Sequence, residues 1–89
     1  MGMNDKTSLL VVTKHESGAL FDLLEPFKDN NINMLQLARH PIPGVKWEYL
    51  FFIDIEGHQN NDNVNDAISK IKSKVSKLEI LGSYPKAVL

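Results

Sequence analysis

Apolar and polar residues alternate along Lys46–Glu56, which holds most of the aromatic residues of the chain. A period of two is typical of a β-strand, because successive side chains point to opposite faces of the sheet. The even-numbered positions are charged at both ends but apolar at Leu50 and Phe52. This pattern predicts a central strand whose second face is partly covered. The odd-numbered positions form the predicted core-facing side, which consists of Trp47, Tyr49, Phe51, Ile53 and Ile55.

Three further strands are predicted from their composition. Ser8–Lys14 is a continuous apolar run rich in β-branched residues, as expected of a strand buried on both faces. Ile32–His40 is more polar and is followed by Pro41, which indicates an edge strand. The last strand is Lys77–Tyr84, and Leu81-Gly82 interrupts it as a β-bulge or bend would.

Two amphipathic helices are predicted between these strands. Ala19–Asp29 has apolar residues at helical spacing, and Ser17 is the predicted N-cap residue. The second helix follows a polar loop, with Asn61 or Asp62 as its predicted cap. Its apolar stripe consists of Val64, Ala67, Ile68, Ile71 and Val75.

The resulting order β-α-β-β-α-β predicts an α+β fold of the ferredoxin-like type. This fold is a four-stranded antiparallel sheet with both helices on one face. Right-handed crossovers place the first and third strands at the centre, and these are also the two most apolar strands. We therefore expect one domain over residues 8–89, preceded by a polar, disordered tail over residues 1–7.

Composition excludes several classes of function. The chain has 89 residues, enough for one modest core. Ten basic and eleven acidic residues leave a net charge of −1, which gives no long-range attraction for nucleic acids or anionic membranes. There is no cysteine, so disulfide and thiolate chemistry are absent from the chain, which fits the cytoplasm. No apolar run approaches the roughly 20 residues of a membrane-spanning helix.

No catalytic group, metal site or cofactor is predicted. The three histidines lie in separate turns or strand ends, without a second ligand at a spacing suited to metal binding. Asp54 and Glu56 share one strand face near its polar end, where solvated charges are expected rather than an acid–base pair. Phe52 stands between Glu48 and Asp54, which disfavours RNA binding on the sheet.

The turn before the first helix is the one segment with a chemical signature. The first N–H groups of a helix lack intrahelical partners and lie at the positive end of its dipole, where a carboxylate is stabilised. Gly18 and Ala19 are small and leave room for such a ligand. A purely structural role, in which Ser17 caps the helix and Gly18 permits the turn, stays open.

Several short motifs resemble the C-terminal ACT regulatory domain of prephenate dehydratase, in the same order along the chain. They are Gly18-Ala19-Leu20, Leu24-Glu25-Pro26-Phe27, Ile32-Asn33, Trp47-Glu48-Tyr49-Leu50-Phe51-Phe52-Ile53-Asp54, Glu56-Gly57-His58 and Leu81-Gly82-Ser83-Tyr84-Pro85. The resemblance runs from about Ser8 to the end, and the chain is more distantly similar to the regulatory domains of aromatic amino acid hydroxylases. It implies a homodimeric domain that binds L-phenylalanine at the dimer interface and inhibits a catalytic region converting prephenate to phenylpyruvate. In bifunctional members, a chorismate mutase region precedes both.

The resemblance also implies an effector site. The backbone of Gly18-Ala19-Leu20, together with Ser17, would receive the carboxylate of the amino acid, and Asn33 would bind its amino group. Ala38-Arg39-His40-Pro41 falls where the family has Glu-Ser-Arg-Pro, so only the proline is retained. This change removes a negative charge, and Arg39 adds bulk and positive charge where a small hydroxyl is usual, which predicts an altered pocket.

Three outcomes stay open at this stage: phenylalanine binding, a changed effector preference, and a ligand-independent dimerisation or interaction module with a degenerate site. Catalysis by this chain alone is not expected, because no segment resembles the Thr-Arg-Phe motif of the dehydratase region.

Overall fold

The computed structural model describes residues 5–14 and 18–85. Six elements follow one another along the chain, and their order confirms the predicted β-α-β-β-α-β pattern. They are β1 (Asp5–Lys14), α1 (Ala19–Asp29), β2 (Met34–Pro41), β3 (Glu48–Glu56), α2 (Asp62–Lys72) and β4 (Lys77–Pro85). Ser17, the predicted N-cap residue, lies outside the described residues.

The strands form one antiparallel sheet in the order β2-β3-β1-β4. β1 and β3 are therefore central and β2 and β4 are at the edges, as their apolar content predicts. In the central pair, Leu9 lies opposite Ile53 and Val11 lies opposite Phe51. The predicted ferredoxin-like fold is confirmed.

The core lies between the two helices and one face of the sheet. Both helices and every second residue of the central strands contribute to it, which places both helices on the same face. The other side, which we call the open face, carries the half-buried Leu10 and Leu50 and the exposed Phe52. The buried core residues are Leu9, Val11, Leu23, Phe27, Ile32, Phe51, Ile53, Ile55, Val64, Ala67, Ile68 and Ile71.

The first strand begins at Asp5, three residues before its predicted start at Ser8. Asp5, Lys6 and Thr7 therefore belong to β1 and not to a disordered tail, whereas residues 1–4 lie outside the described part of the chain. The reason is that their polar groups have partners. Thr7 is fully buried, and its hydroxyl donates to the Gly57 carbonyl (2.7 Å) and is hydrogen-bonded to Ser83 (2.8 Å).

The third strand begins two residues later than predicted, at Glu48. Trp47, a predicted core-facing residue, lies outside the strand and is 71% exposed. Pairing explains the difference, because β2 ends at Pro41, opposite Tyr49. Residues before Glu48 therefore have no neighbouring strand there, and the core-facing side of β3 starts with the half-buried Tyr49.

Two local predictions have different outcomes. The irregularity in β4 is confirmed, because the pairing with β1 passes from Leu9–Ile80 to Ser8–Gly82 and leaves Leu81 as the extra residue of a β-bulge. Asn61 occupies the N-cap position of α2 as predicted, but it makes no side-chain capping bond. Its carboxamide oxygen instead accepts a hydrogen bond from the His58 N–H (2.6 Å).

No helix within residues 5–14 and 18–85 has the length and apolar character needed to cross a membrane.

Candidate functional site

A groove with a volume of about 380 Å³ opens where the end of β1 meets the first turn of α1. We call it the α1 groove. It brings two of the sequence-predicted segments together, because Gly18, Ala19 and Leu20 lie beside Arg39 of β2. Among the residues that the structure describes, its lining consists of Thr13, Lys14, Gly18, Ala19, Leu20, Phe21, Arg39, Tyr49 and Phe51.

The start of α1 shapes one end of the groove. Gly18 has φ +81° and ψ −2°, a left-handed conformation that suits glycine, and the position of a Cβ would be empty space to 4 Å. Its carbonyl accepts the first helical hydrogen bond from the Asp22 N–H (2.9 Å). The N–H groups of the first turn have no partner within the helix, so this end of the groove can bind an anion.

Charged and aromatic groups share the remaining walls. Lys14 and Arg39 supply two positive charges, and no acidic residue contributes to the described lining. The Arg39 guanidinium lies over the Tyr49 ring, 5.0 Å from its centroid. Phe21 and Phe51 add further apolar surface. The groove is therefore suited to an amphipathic molecule with a negatively charged group and an apolar side chain.

Asn33 does not reach the α1 groove within one chain. It precedes β2, and its side-chain NH₂ group donates to Glu56 Oε1 (2.6 Å). It lines a separate cavity of about 510 Å³ at the opposite end of α1. That cavity is formed by Leu24, Phe27, Lys28, Asn31, Ile32, Asn33 and Met34.

The remaining predicted residues of β2 lie away from the groove lining. Ala38 is opposite Phe52 and His40 is opposite Leu50, which places both on the open face. The rings of His40 and Phe52 are nearly perpendicular, with their centroids 5.6 Å apart. Pro41 ends the strand. Arg39 is therefore the one residue of the predicted Ala38–Pro41 segment that lines the α1 groove.

The paired carboxylates of β3 are engaged by neighbouring side chains. Asp54 Oδ1 accepts a hydrogen bond from the Ser8 hydroxyl (2.6 Å), and Asp54 Oδ2 lies 3.6 Å from the Lys6 ammonium. Glu56 accepts the bond from Asn33. Within residues 5–14 and 18–85, no three acidic or histidine side chains are grouped so that they could hold a metal ion.

No protein-family model matches the chain. It is 43% identical over 86 residues to the bifunctional chorismate mutase/prephenate dehydratase of Aquifex aeolicus, which covers 97% of this chain and 24% of that protein. Its fold matches a prephenate dehydratase of Arthrobacter aurescens solved in complex with L-Phe, with a TM-score of 0.87, 28% identity and 97% of this chain covered, against 28% of that chain.

This chain belongs to the regulatory ACT domains of the prephenate dehydratases. The ACT domain spans about a quarter of the length of the curated relatives that it matches, 24% of the Aquifex protein. Another solved structure, described as GqqA, a quorum quenching acylase, has a TM-score of 0.91 and 28% identity, covering 97% of this chain and 31% of that chain.

Five residues of the α1 groove were absent from the sequence-predicted site of this ACT domain. Tyr49 and Phe51 could have been found from the period of two in β3, since they lie on its core-facing side beside the helices. Lys14 ends the strand that leads into the turn, and Phe21 lies in the first helical turn. Thr13 carries no sequence signal, because a threonine in an apolar strand is usually structural.

Proposed function

We propose that this ACT domain binds L-phenylalanine and thereby regulates a prephenate dehydratase catalytic region. The observation that carries the proposal is the α1 groove, in which the start of a helix and two cations lie beside Tyr49 and Phe51. The carboxylate of the amino acid would accept hydrogen bonds from the first N–H groups of α1. Its ring would lie along the aromatic wall. The L-Phe complex of the Arthrobacter relative supports this choice of ligand.

The proposed site is completed by a second copy of the chain. Arg39 lies near one end of β2, and Asn33 precedes the other end. A two-fold axis through the middle of this edge strand would exchange its ends, because paired β2 strands would run antiparallel. Asn33 of one copy would then approach the α1 groove of the other, where its side-chain oxygen could accept a hydrogen bond from the ammonium group of the ligand. The other predicted residues of β2 would contribute to the effector site only through the contact between the two β2 strands. These residues are Ala38, His40 and Pro41.

Exposed apolar side chains on the same side of the domain support such a homodimer. Leu35 and Leu37 of β2 are exposed, as are Leu20 and Phe21 at the start of α1. The outer edge of β2 also has unpaired backbone groups that a second β2 strand could satisfy. An eight-stranded sheet across two copies would cover these apolar side chains and would pair the backbone groups at the outer edge of β2.

Regulation requires more than binding. L-Phenylalanine must bind more tightly to one arrangement of the catalytic regions than to another, because equal affinity would shift no equilibrium. The proposed ligand bridges two chains, so its binding would favour one relative orientation of the catalytic regions attached to them. We place the dehydratase activity in such a region and the whole protein in the cytoplasm.

Calorimetric titration of the 89-residue chain with L-phenylalanine, L-tyrosine and L-tryptophan tests effector binding. We expect heat of binding with L-phenylalanine and a melting temperature that rises with its concentration, since a ligand that binds only the folded state stabilises it. Absence of both effects at millimolar L-phenylalanine would reject the proposal.

A ligand-independent dimerisation module is the second candidate. It is favoured by the position of Arg39, whose guanidinium occupies one face of the Tyr49 ring that an aromatic ligand could otherwise contact. Sedimentation analysis with and without amino acids separates the candidates. A dimer whose stability is indifferent to all three aromatic amino acids would support this module over the sensor.

A further inference from the structure

Thr13 lies where the α1 groove meets a second, smaller cavity. It is the penultimate residue of β1, opposite Tyr49, and it is only 4% exposed. The smaller cavity has a volume of about 190 Å³ and shares Thr13, Lys14 and Ala19 with the groove. Its other lining residues are Ser73, Lys74, Val75 and Ser76.

The Thr13 hydroxyl has no hydrogen-bond partner among the described residues. Thr13 lines both cavities, so we place its hydroxyl oxygen in their shared wall. The other buried threonine of β1 behaves differently, because Thr7 is bonded to both Gly57 and Ser83. A buried hydroxyl without a partner is costly, and this one lies in the wall of a candidate ligand site.

The charges around Thr13 indicate what would bind there. Lys14 lines both cavities, and Lys74 lines the smaller one with its ammonium 3.9 Å from the Glu25 carboxylate. Ala19, in the first turn of α1, also lines both cavities. Thr13 thus shares both cavities with a basic residue and with the first turn of a helix, a setting in which its hydroxyl is suited to one oxygen of a carboxylate.

We propose that Thr13 is a ligand-binding residue whose hydroxyl donates a hydrogen bond to the carboxylate of the amino acid bound at the start of α1. This inference rests on the proposed effector function and adds to it. It places the carboxylate of the ligand toward the end of β1 and its apolar side chain toward Tyr49 and Arg39. The ligand class is an α-amino acid or another small carboxylate with an apolar side chain.

Substitution of Thr13 by valine tests the inference, because valine has nearly the same shape without the hydroxyl. Loss of a hydrogen bond to a charged group should weaken L-phenylalanine binding by about tenfold or more in calorimetric titration. The melting temperature without ligand should be unchanged or higher, since no protein hydrogen bond is lost. Thr13→Ser keeps the hydroxyl and should retain most of the affinity.

Thr7→Val is the matched control. It removes a hydroxyl with two protein partners, so it should lower the melting temperature without weakening L-phenylalanine binding to the folded chain. If wild type binds L-phenylalanine and Thr13→Val binds it equally well, the Thr13 inference is wrong while the proposed function stands. If wild type shows no binding at all, both fail.

Discussion

The Arg39 guanidinium lies over the ring of Tyr49, with 5.0 Å between its central carbon and the ring centroid. This contact joins the edge strand β2 to the central strand β3 across the wall of the α1 groove. This cation–π contact involves Arg39, the residue of Ala38–Pro41 that lines the groove.

We expect Arg39→Ala to lower the free energy of unfolding by about 0.5–1 kcal/mol, the usual contribution of an exposed cation–π contact. Urea denaturation measures this change, and a double-mutant cycle with Tyr49→Leu isolates the coupling between the two side chains. Lys46→Ala, an exposed cation in the β2–β3 connection, is the control and should change stability little. A coupling energy near zero would contradict the assignment.

Among the glycines that the structure describes, Gly57 should be the least tolerant of a side chain. Its φ is +109°, and an added Cβ would lie 2.8 Å from Cγ2 of the buried Val64 at the start of α2. Backbone strain and overpacking together should make Gly57→Ala destabilising by about 2–4 kcal/mol in thermal or urea unfolding. Gly44→Ala also has positive φ, but nothing lies within 4 Å of the new Cβ, so it should cost only about 1–2 kcal/mol. If both substitutions lowered the free energy of unfolding equally, Val64 would be able to move away from the added Cβ without cost, and the predicted overpacking would be wrong.

Two exposed leucines distinguish the two edges of the sheet. Leu37 lies on β2 and is 39% exposed, whereas Leu81 is the bulge residue of β4 and is 53% exposed. If two copies pair through β2, Leu37→Glu should place like charges in the interface and shift the chain to a monomer. Leu81→Glu should leave the dimer intact. Sedimentation velocity checks both, and a monomer produced only by Leu81→Glu would assign the interface to β4.

Asp66 gives the domain a predictable response to acid. Its hydrogen bonds to Lys70 and Asn30 lower the pKa of its carboxyl, and the Lys70 ammonium lies 3.1 Å from Oδ2. A folded-state pKa below the unfolded value stabilises the fold above the unfolded pKa, and this stabilisation is lost as the pH falls through the folded pKa. Asp66→Asn should therefore be slightly less stable than wild type at neutral pH, and the gap should close in strong acid. A gap that stays constant across urea titrations at several pH values would refute this account.

The strand order could be predicted from the sequence because the two most apolar strands, β1 and β3, are those that right-handed crossovers place at the centre of the sheet. The start of β1 could not be predicted, since Thr7 is polar and becomes buried only by bonding to Gly57, fifty residues away in the chain. Trp47 was misplaced because the period of two continues past the last residue of β2 that pairs with β3.

The site could be predicted only in part. Gly18–Leu20 is visible in the sequence because a strand, a glycine and a helix follow one another there. That Arg39 lies beside this turn can be known only from the pairing of β2 with β3. That the Thr13 hydroxyl has no partner among the described residues can be known only once its neighbours in the fold are known. The family resemblance places Asn33 in the effector site, whereas within one chain Asn33 lines a different cavity.

If the α1 groove of one chain and Asn33 of another form one site, mixing two variants that are defective in different halves of that site should restore binding. Ala19→Asp puts a negative charge in the groove, and Asn33→Ala removes the amide, so neither homodimer should bind L-phenylalanine. After subunit exchange in an equal mixture, mixed dimers should each hold one intact site. Calorimetry should then find about a quarter of the wild-type number of sites, because about half of the dimers are mixed and each has one site of two. No recovery of binding in a mixture shown to contain mixed dimers would contradict the shared site.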